Sequence, residues 1–315
     1  MLIIITGGLG FIGSKLANNF LKKNYKVIII DKKKNINQNL FCNKSKKFKI
    51  YNNINISFVK SLNKIKIREP NIILHCAAQP SAARSFEIPQ QDLCINILGT
   101  LNIINWAKKN YTKKIIYAST FNVYEENSKK THIKETFSCE PKSLYAISKL
   151  SAENYIRVYC NFLNIKWNIV RMFNVYGPGQ DPDNKYLGMI NIFLNMARKE
   201  GKIFVKGSLD RFRDFVFIDD VIQAWELIIK DKKYYNNIYN IGSGKKTLLK
   251  DLLKEISIVL DRKIITKVQK GTPGDFLGCF ADIKKIKKQL KYSPKYNLKN
   301  GLKIFNEWLN KYEKY

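Results

Sequence analysis

An α/β architecture built on a parallel sheet is what this sequence predicts, and three observations predict it. Short apolar runs recur through the first half of the chain: Leu2 to Thr6, Lys26 to Ile30, Pro70 to Cys76, Lys114 to Ser119 and Trp167 to Phe173. Unbroken runs of this length are expected of strands buried on both faces. Helical patterns separate most of them, which gives the βαβ alternation of a doubly wound sheet. The first run also passes through a glycine-rich turn straight into a helix, which is the local signature of a dinucleotide site.

The elements follow in order. Leu2-Ile-Ile-Ile-Thr6 reads as the first strand, and Gly7, Gly10 and Gly13 follow it at i, i+3 and i+6. Glycines at this spacing let the backbone approach a pyrophosphate, and a helix N-terminus supplies positive dipole to the phosphates. Phe11 to Leu21 supplies that helix, with apolar residues at Phe11, Ile12, Leu16, Phe20 and Leu21. The second strand, Lys26 to Ile30, ends in Asp31, 18 residues beyond Gly13. An acid there accepts ribose hydroxyls and repels a 2′-phosphate, so NAD is favoured over NADP despite Lys32, Lys33 and Lys34.

A Lys/Asn-rich loop (Lys32 to Lys47) leads to a third strand at Phe48 to Tyr51. The Pro70 to Cys76 strand runs into Ala77-Ala78-Gln79-Pro80-Ser81, and one long helix is expected over Gln90 to Lys109. After the Lys114 to Ser119 strand comes a helix at about 143–162, which carries Tyr145-Ala-Ile-Ser-Lys149. Residues four apart share one helix face. An ammonium beside a phenol favours the phenolate, so the spacing predicts that Lys149 lowers the pKa of Tyr145 and makes it a proton acceptor.

From Asn174 the pattern changes. Gly177-Pro178-Gly179 breaks the chain, and helical stretches near 186–199, 220–230, 248–260 and 302–314 alternate with short strands such as Lys202 to Val205. The expected organisation is a dinucleotide-binding domain over 1–173 and a smaller α/β substrate-binding lobe over 174–315, interleaved with the first.

At 315 residues the chain can bury an ample core. Its six cysteines are scattered with no CxxC pair, which points to reduced thiols and to no metal. The chain opens in a strand rather than a signal peptide and has no apolar run of about 18 residues, so a cytoplasmic protein with no membrane partner is expected. A net charge of +31 invites a nucleic-acid reading, but only eight of the 56 basic residues are Arg and the lysines are spread chain-wide. Specific nucleic-acid readout leans on Arg and on a localised patch, so no specific nucleic-acid partner is expected.

The motifs together resemble those of the extended short-chain dehydrogenases/reductases. They are Thr6-Gly-Gly-x-Gly-Phe-Ile-Gly13, Asp31, His75-Cys-Ala-Ala78, Asn96-x-x-Gly-Thr100, Ser119-Thr120, Tyr145-x-x-x-Lys149, Arg171-Met-Phe-Asn-Val-Tyr-Gly-Pro178, Arg213-Asp-Phe215 and Asn240-Ile-Gly-Ser243. Within that group the chain is similar to NAD-dependent nucleotide-sugar epimerases and dehydratases of the UDP-glucose 4-epimerase type.

The resemblance implies a Rossmann fold, a homodimer through the helices near 90–109 and 143–162, and a place in surface polysaccharide biosynthesis. It implies catalytic roles for Thr120, Tyr145 and Lys149, with Tyr145 as base and acid and Thr120 on the reacting sugar oxygen. It places the cofactor on the glycine turn (Gly7, Gly10, Phe11, Ile12, Gly13), on Asp31 and Lys32, and on Asn53 and Ile54. Ala77, Ala78, Gln79, Asn96, Tyr145, Lys149 and Phe173 complete that set. Thr120, Asn174, Arg213 and Asp275 are implied for a UDP-hexose.

Three positions depart from the pattern. Phe121 and Asn122 stand where 4,6-dehydratases carry Asp and Glu. Thr272-Pro-Gly-Asp275 replaces Arg-Pro-Gly-Asp, and Asn53-Ile54 replaces Asp-Ile. The resulting expectation is 4-epimerisation through a transient 4-keto sugar. The rival readings are a nucleotide-sugar dehydrogenase or 4-ketoreductase, a 2-epimerase, and a non-catalytic NAD-binding regulator or scaffold.

Overall fold

A computed structural model of the chain describes residues 1–35, 41, 46–126, 131–184, 186, 188–271 and 277–312. Its strands are β1 (Leu2–Thr6), β2 (Lys26–Ile30), β3 (Phe48–Tyr51), β4 (Ile72–His75), β5 (Lys114–Thr120), β6 (His132–Ile133), β7 (Lys166–Met172), β8 (Asn174–Tyr176), β9 (Lys202–Lys206), β10 (Phe212–Arg213), β11 (Phe215–Phe217), β12 (Asn237–Ile241), β13 (Thr247–Leu248), β14 (Ile265–Gln269) and β15 (Phe280–Ala281). Its helices are α1 (Phe11–Lys22), α2 (Val59–Leu62), α3 (Ala82–Glu87), α4 (Pro89–Leu93), α5 (Gly99–Lys109), α6 (Leu144–Phe162), α7 (Met189–Glu200), α8 (Ile218–Lys230), α9 (Leu249–Leu260), α10 (Lys284–Leu290) and α11 (Leu298–Tyr312).

Seven strands form one sheet in the order β12-β7-β5-β4-β1-β2-β3. β1 pairs in parallel with both β2 and β4, β2 with β3, and β4 with β5. The chain therefore steps outward through β2 and β3, then returns past β1 to β4. The point beside β1 where the order reverses is where ligands bind in open sheets of this kind. The apolar β-branched runs explain the sheet: Ile3, Ile4, Ile5, Val27, Ile29, Ile30, Ile73, Ile115 and Ile116 have no measurable exposure. Burying both faces of such strands is what demands helices on both sides.

The chain divides into two compact units, each made of three segments. Unit 1 holds Met1–Thr120, Leu144–Arg171 and Ile228–Ile238, and unit 2 holds Phe121–Ser143, Met172–Leu227 and Tyr239–Tyr315. The expected division at residue 173, with the second lobe interleaved with the first, compares with breaks at 120/121, 143/144, 171/172, 227/228 and 238/239. Phe121–Ser143 leaves the N-terminal half because β6 pairs with β15, and Ile228–Ile238 returns to unit 1 where β12 begins.

The core of unit 1 packs Ile4, Ile28 and Ile115 with Ile103, Trp106 and Ile156 from the helices. Unit 2 buries Trp225, Tyr176, Phe217 and Phe305, and its β8 and β11 pair in parallel, Asn174 opposite Phe215.

The helix expected over Gln90 to Lys109 is interrupted. Between α4 and α5 the chain takes one π-helical turn, Cys94–Leu98. Such a turn is rare and tends to occur at functional sites. Here it carries Asn96. Among the described residues no helix is long and apolar enough to cross a membrane.

Candidate active site

Unit 1 begins with the glycine turn. Gly7 has φ +70°, a left-handed conformation open to glycine at little cost. A Cβ on Gly7 would lie 2.7 Å from the Ala77 backbone, and one on Gly13 would lie 2.3 Å from the Gly7 carbonyl oxygen. The turn is therefore packed so closely that only hydrogen fits at these two positions. Helix α1 starts at Gly10 with no side-chain cap and no acidic residue in its first turn. Its N-terminal amides and dipole are suited to an anion, which is the fit a dinucleotide pyrophosphate requires.

Asp31 closes the same pocket of backbone. Its two carboxylate oxygens accept from Leu9 N (2.9 Å) and Lys33 N (3.0 Å), so the acid is braced against the glycine turn. Lys33 Nζ donates to the Leu9 carbonyl, whereas Lys32 is exposed. Asn53 sits at φ +55°, and Ile54 N donates to the Asp31 carbonyl. Ala77 N donates to Thr6 Oγ1 at 3.3 Å. Phe11, Ile12 and Ala78 are half-buried.

A buried chain of hydrogen bonds connects this turn to α6. Thr6 Oγ1 meets His75 Nδ1 at 2.7 Å, His75 Nε2 meets Thr100 Oγ1 at 3.0 Å, and Thr100 donates to the Asn96 carbonyl. The Thr100 hydrogen is thus committed, so His75 carries its proton on Nε2. Burial, and then the Lys149 charge, push the His75 pKa down to about 3, which keeps the ring neutral.

The Asn96 side chain accepts from Gln79 N and donates to Gln79 O, Asp92 Oδ1 and Ser148 Oγ. Gln79 Nε2 donates to Asp92 Oδ1 at 2.7 Å, and Ser148 Oγ donates to the Tyr145 carbonyl. Asp92, Ser148 and the π-helical turn are parts of the site that sequence reasoning missed. Ser148 lay inside the Tyr145–Lys149 motif, but no residue pattern marked Asp92.

Thr120, Tyr145 and Lys149 come together in unit 1, exposed by only 6%, 8% and 2%. Thr120 ends β5 and hydrogen-bonds the Tyr145 side chain, which favours the phenolate. Burial dominates, however, and with the Asp92 charge it pushes Tyr145 up to about 12. The expected Lys149-to-Tyr145 effect is thus not what the structure shows. The Lys149 ammonium donates to the Ala118 carbonyl at 2.5 Å and lies 4.0 Å from the centre of the Tyr117 ring. The Ala118 carbonyl on β5 thus takes a hydrogen bond from the ammonium. Burial lowers Lys149 to about 7, opposed by Glu153, Cys76 and Asp92.

In unit 2, Asn174 and Arg213 are joined through one residue. Both the backbone and the side-chain nitrogen of Asn174 donate to the Asp214 carbonyl, at 3.0 and 3.1 Å. The Asp214 carboxylate is fully buried and accepts from Ser243 N, Ser243 Oγ, Gly244 N and Ala281 N. This clamp fixes the strand that carries Arg213. The Arg213 guanidinium is 4% exposed and donates to the Phe212 and Leu277 carbonyls. Burial pulls its pKa down to about 10, so it stays cationic at neutral pH. Glu126, whose charge reaches Arg213, accepts from Leu277 N and from Lys142. Phe173 stacks on Phe121 at 5.4 Å. Asp275 lies outside the described residues.

Residues 3–242 match the model of the NAD dependent epimerase/dehydratase family. The UDP-glucose 4-epimerase of Thermotoga maritima, solved with UDP-glucose, is 31% identical and superposes with a TM-score of 0.91 over 99% of this chain and 100% of that one. The UDP-glucuronic acid 4-epimerase of Bacillus cereus, solved with UDP-glucuronic acid and NAD, is 28% identical with a TM-score of 0.87 over 99% and 100%. A UDP-glucuronate 4-epimerase of Thermodesulfobacterium geofontis is 30% identical over 97% of this chain and 95% of its own length.

Proposed function

The chain belongs to the NAD dependent epimerase/dehydratase family, and on that premise we propose that it inverts C4 of a UDP-hexose. The observation that carries this reading is the buried cluster of Thr120, Tyr145 and Lys149 in the same unit as the glycine turn. The glycine turn, Asp31 and Lys149 would hold NAD, which would supply the acceptor and donor of a hydride. The chain's own residues do the rest.

Tyr145 takes the proton of the sugar 4-OH and later returns one to the 4-keto oxygen. Thr120 holds that oxygen by its hydroxyl, and its hydrogen bond to Tyr145 aligns the two groups. A phenol whose pKa stands near 12 is almost wholly protonated at neutral pH, so little of it is present as the base. The Lys149 charge is therefore needed nearby, and burial makes that charge easy to lose. Arg213 and Asn174 would anchor the diphosphate. Arg suits this as a planar donor fork. The Asp-Glu pair that would serve water elimination is replaced by Phe121 and Asn122, which supports epimerisation over dehydration.

The proposed setting is the cytosol, in supply of a surface-glycan pathway, with the protein as a homodimer. Ile147, Tyr155, Val158 and Phe162 are exposed by 46%, 44%, 73% and 78% along one face of α6. Leu93 and Leu98 are also exposed on the neighbouring helical run. A second copy is the occupant expected for this apolar face.

Incubation with UDP-glucose, UDP-N-acetylglucosamine and UDP-glucuronic acid, read by NMR for inversion at C4, tests the reaction. Stoichiometric consumption of added NAD in place of catalytic inversion overturns it in favour of a dehydrogenase.

A further inference from the structure

Glu153 has no place in the chemistry above, yet three elements of unit 1 converge on it. It follows Tyr145 and Lys149 at the same four-residue step along α6 and is 1% exposed. Arg171, at the end of β7, grips it as a fork: Nε lies 3.0 and 3.2 Å from its two oxygens, and Nη2 lies 2.7 Å from Oε2. Ser119 donates its hydroxyl hydrogen to Glu153 Oε1. Ser119 immediately precedes Thr120 on β5.

A buried ion pair is poor support for a fold, because well-packed apolar side chains of similar volume serve as well or better. The charge here has another object. The groups that act on Lys149 are Glu153 on α6, Asp92 on α4 and Cys76 after β4. His75 on β4 feels the Lys149 charge, Tyr117 on β5 lies under it, and Tyr145 shares its helix. Burial holds the Cys76 thiol and the Tyr117 and Tyr145 phenols in their neutral forms, and His75 is neutral. The carboxylates are left to oppose the cost of burying an ammonium, and Glu153 is the stronger of the two influences.

We propose that Glu153 is a positioning residue for the proton-transfer machinery: its charge holds Lys149 in the ammonium form, and its bond to Ser119 fixes the strand end that carries Thr120. This rests on the roles given above to Lys149 and Thr120. Arg171 orients the carboxylate and keeps it from drifting toward Lys149, whose own hydrogen bond goes to Ala118.

The test uses the whole chain without added cofactor, with lysines labelled for NMR and the Lys149 signal assigned by its loss in Lys149→Met. The wild-type ammonium is expected to titrate near pH 7. Glu153→Gln is expected to lower that midpoint by one pH unit or more. Glu153→Gln/Arg171→Met, which removes both charges and refills the volume, is expected to fold and to keep most of the drop. A folded double variant with a wild-type midpoint overturns the proposal, and so does failure of both variants to fold, which would make the pair structural. In turnover, the double variant should lose kcat at a lower pH than wild type, with little change in KM. A wild type inactive on every nucleotide sugar would defeat the epimerase reading but leave the Lys149 titration to decide this one.

Discussion

Asn96 and Ser148 meet at 2.9 Å across 52 positions of chain, the amide of one donating to the hydroxyl of the other. The contact ties the π-helical turn to α6 just before Lys149. It also sets the first expectation. Asn96→Ala would remove the side-chain partner of both the N–H and the carbonyl of Gln79 in a dry environment. Each such group costs about 1–3 kcal/mol, so urea unfolding should show a loss of roughly 3 kcal/mol or more. A loss below 1 kcal/mol would mean that the network is not holding α6.

Tyr145→Phe should keep the fold and NAD binding but abolish most turnover. Loss of general acid–base catalysis typically costs ~10²–10⁴-fold. Calorimetric titration with NAD and an NMR assay of C4 inversion separate the two effects, and near-normal inversion would remove Tyr145 from the mechanism.

Arg213→Ala should raise KM for the nucleotide sugar at least tenfold and leave NAD affinity alone, since a charge-assisted phosphate contact is worth about 1.5–3 kcal/mol. Arg211 is the control. Its guanidinium donates to the Ser208 and Lys206 carbonyls. Equal effects of the two alanine variants would show that neither acts on the diphosphate specifically.

Asp31→Ala should weaken NAD about tenfold or more and NADP less, because the acid that accepts ribose hydroxyls also repels a 2′-phosphate. Titration of the cofactor-free protein with both dinucleotides measures this. Wild-type preference for NADP would instead assign the site to Lys32 and Lys33.

His75 gives a pH dependence with a definite sign. Its folded pKa is about 3, below the usual 6.5, so between these values the unfolded chain binds more protons. Stability then rises with pH across that window and falls on acidification. Because the unfolded ring is only half protonated at pH 6.5, integrating at about 1.36 kcal/mol per unit gives a wild-type loss of about 1.6 kcal/mol relative to His75→Asn between pH 6.5 and 5. Parallel stability curves for the two proteins would mean that the ring is not held neutral.

Much of this was legible in the sequence where the signal was local. The glycine turn, Asp31 and the buried strands each announce themselves by spacing or by an unbroken apolar run. The π-helical turn did not, because Cys94 to Leu98 carries the same apolar pattern as an α-helix. The strands of unit 2 at Phe212–Arg213, Thr247–Leu248 and Phe280–Ala281 are two residues long, too short for any alternation to register. The fate of the Lys149 ammonium depended on where the Ala118 carbonyl points, and that is decided by the pairing of β5 in the sheet, not by the helix. The clamp on Asp214 needed Ser243, Gly244 and Ala281, all distant in sequence.

The threading of the chain also has a consequence for its synthesis. Unit 1 is not complete when its first 171 residues have emerged from a ribosome; it waits for Ile228–Ile238. At roughly 5–20 residues per second the intervening stretch takes several seconds to appear. Through that interval the β7 side of the sheet lacks its last neighbour, β12. An unpaired strand edge invites association with other nascent chains, so the newborn protein is most in need of chaperone cover while Met172–Leu227 is being made. A truncation at residue 173 would make that exposed state permanent.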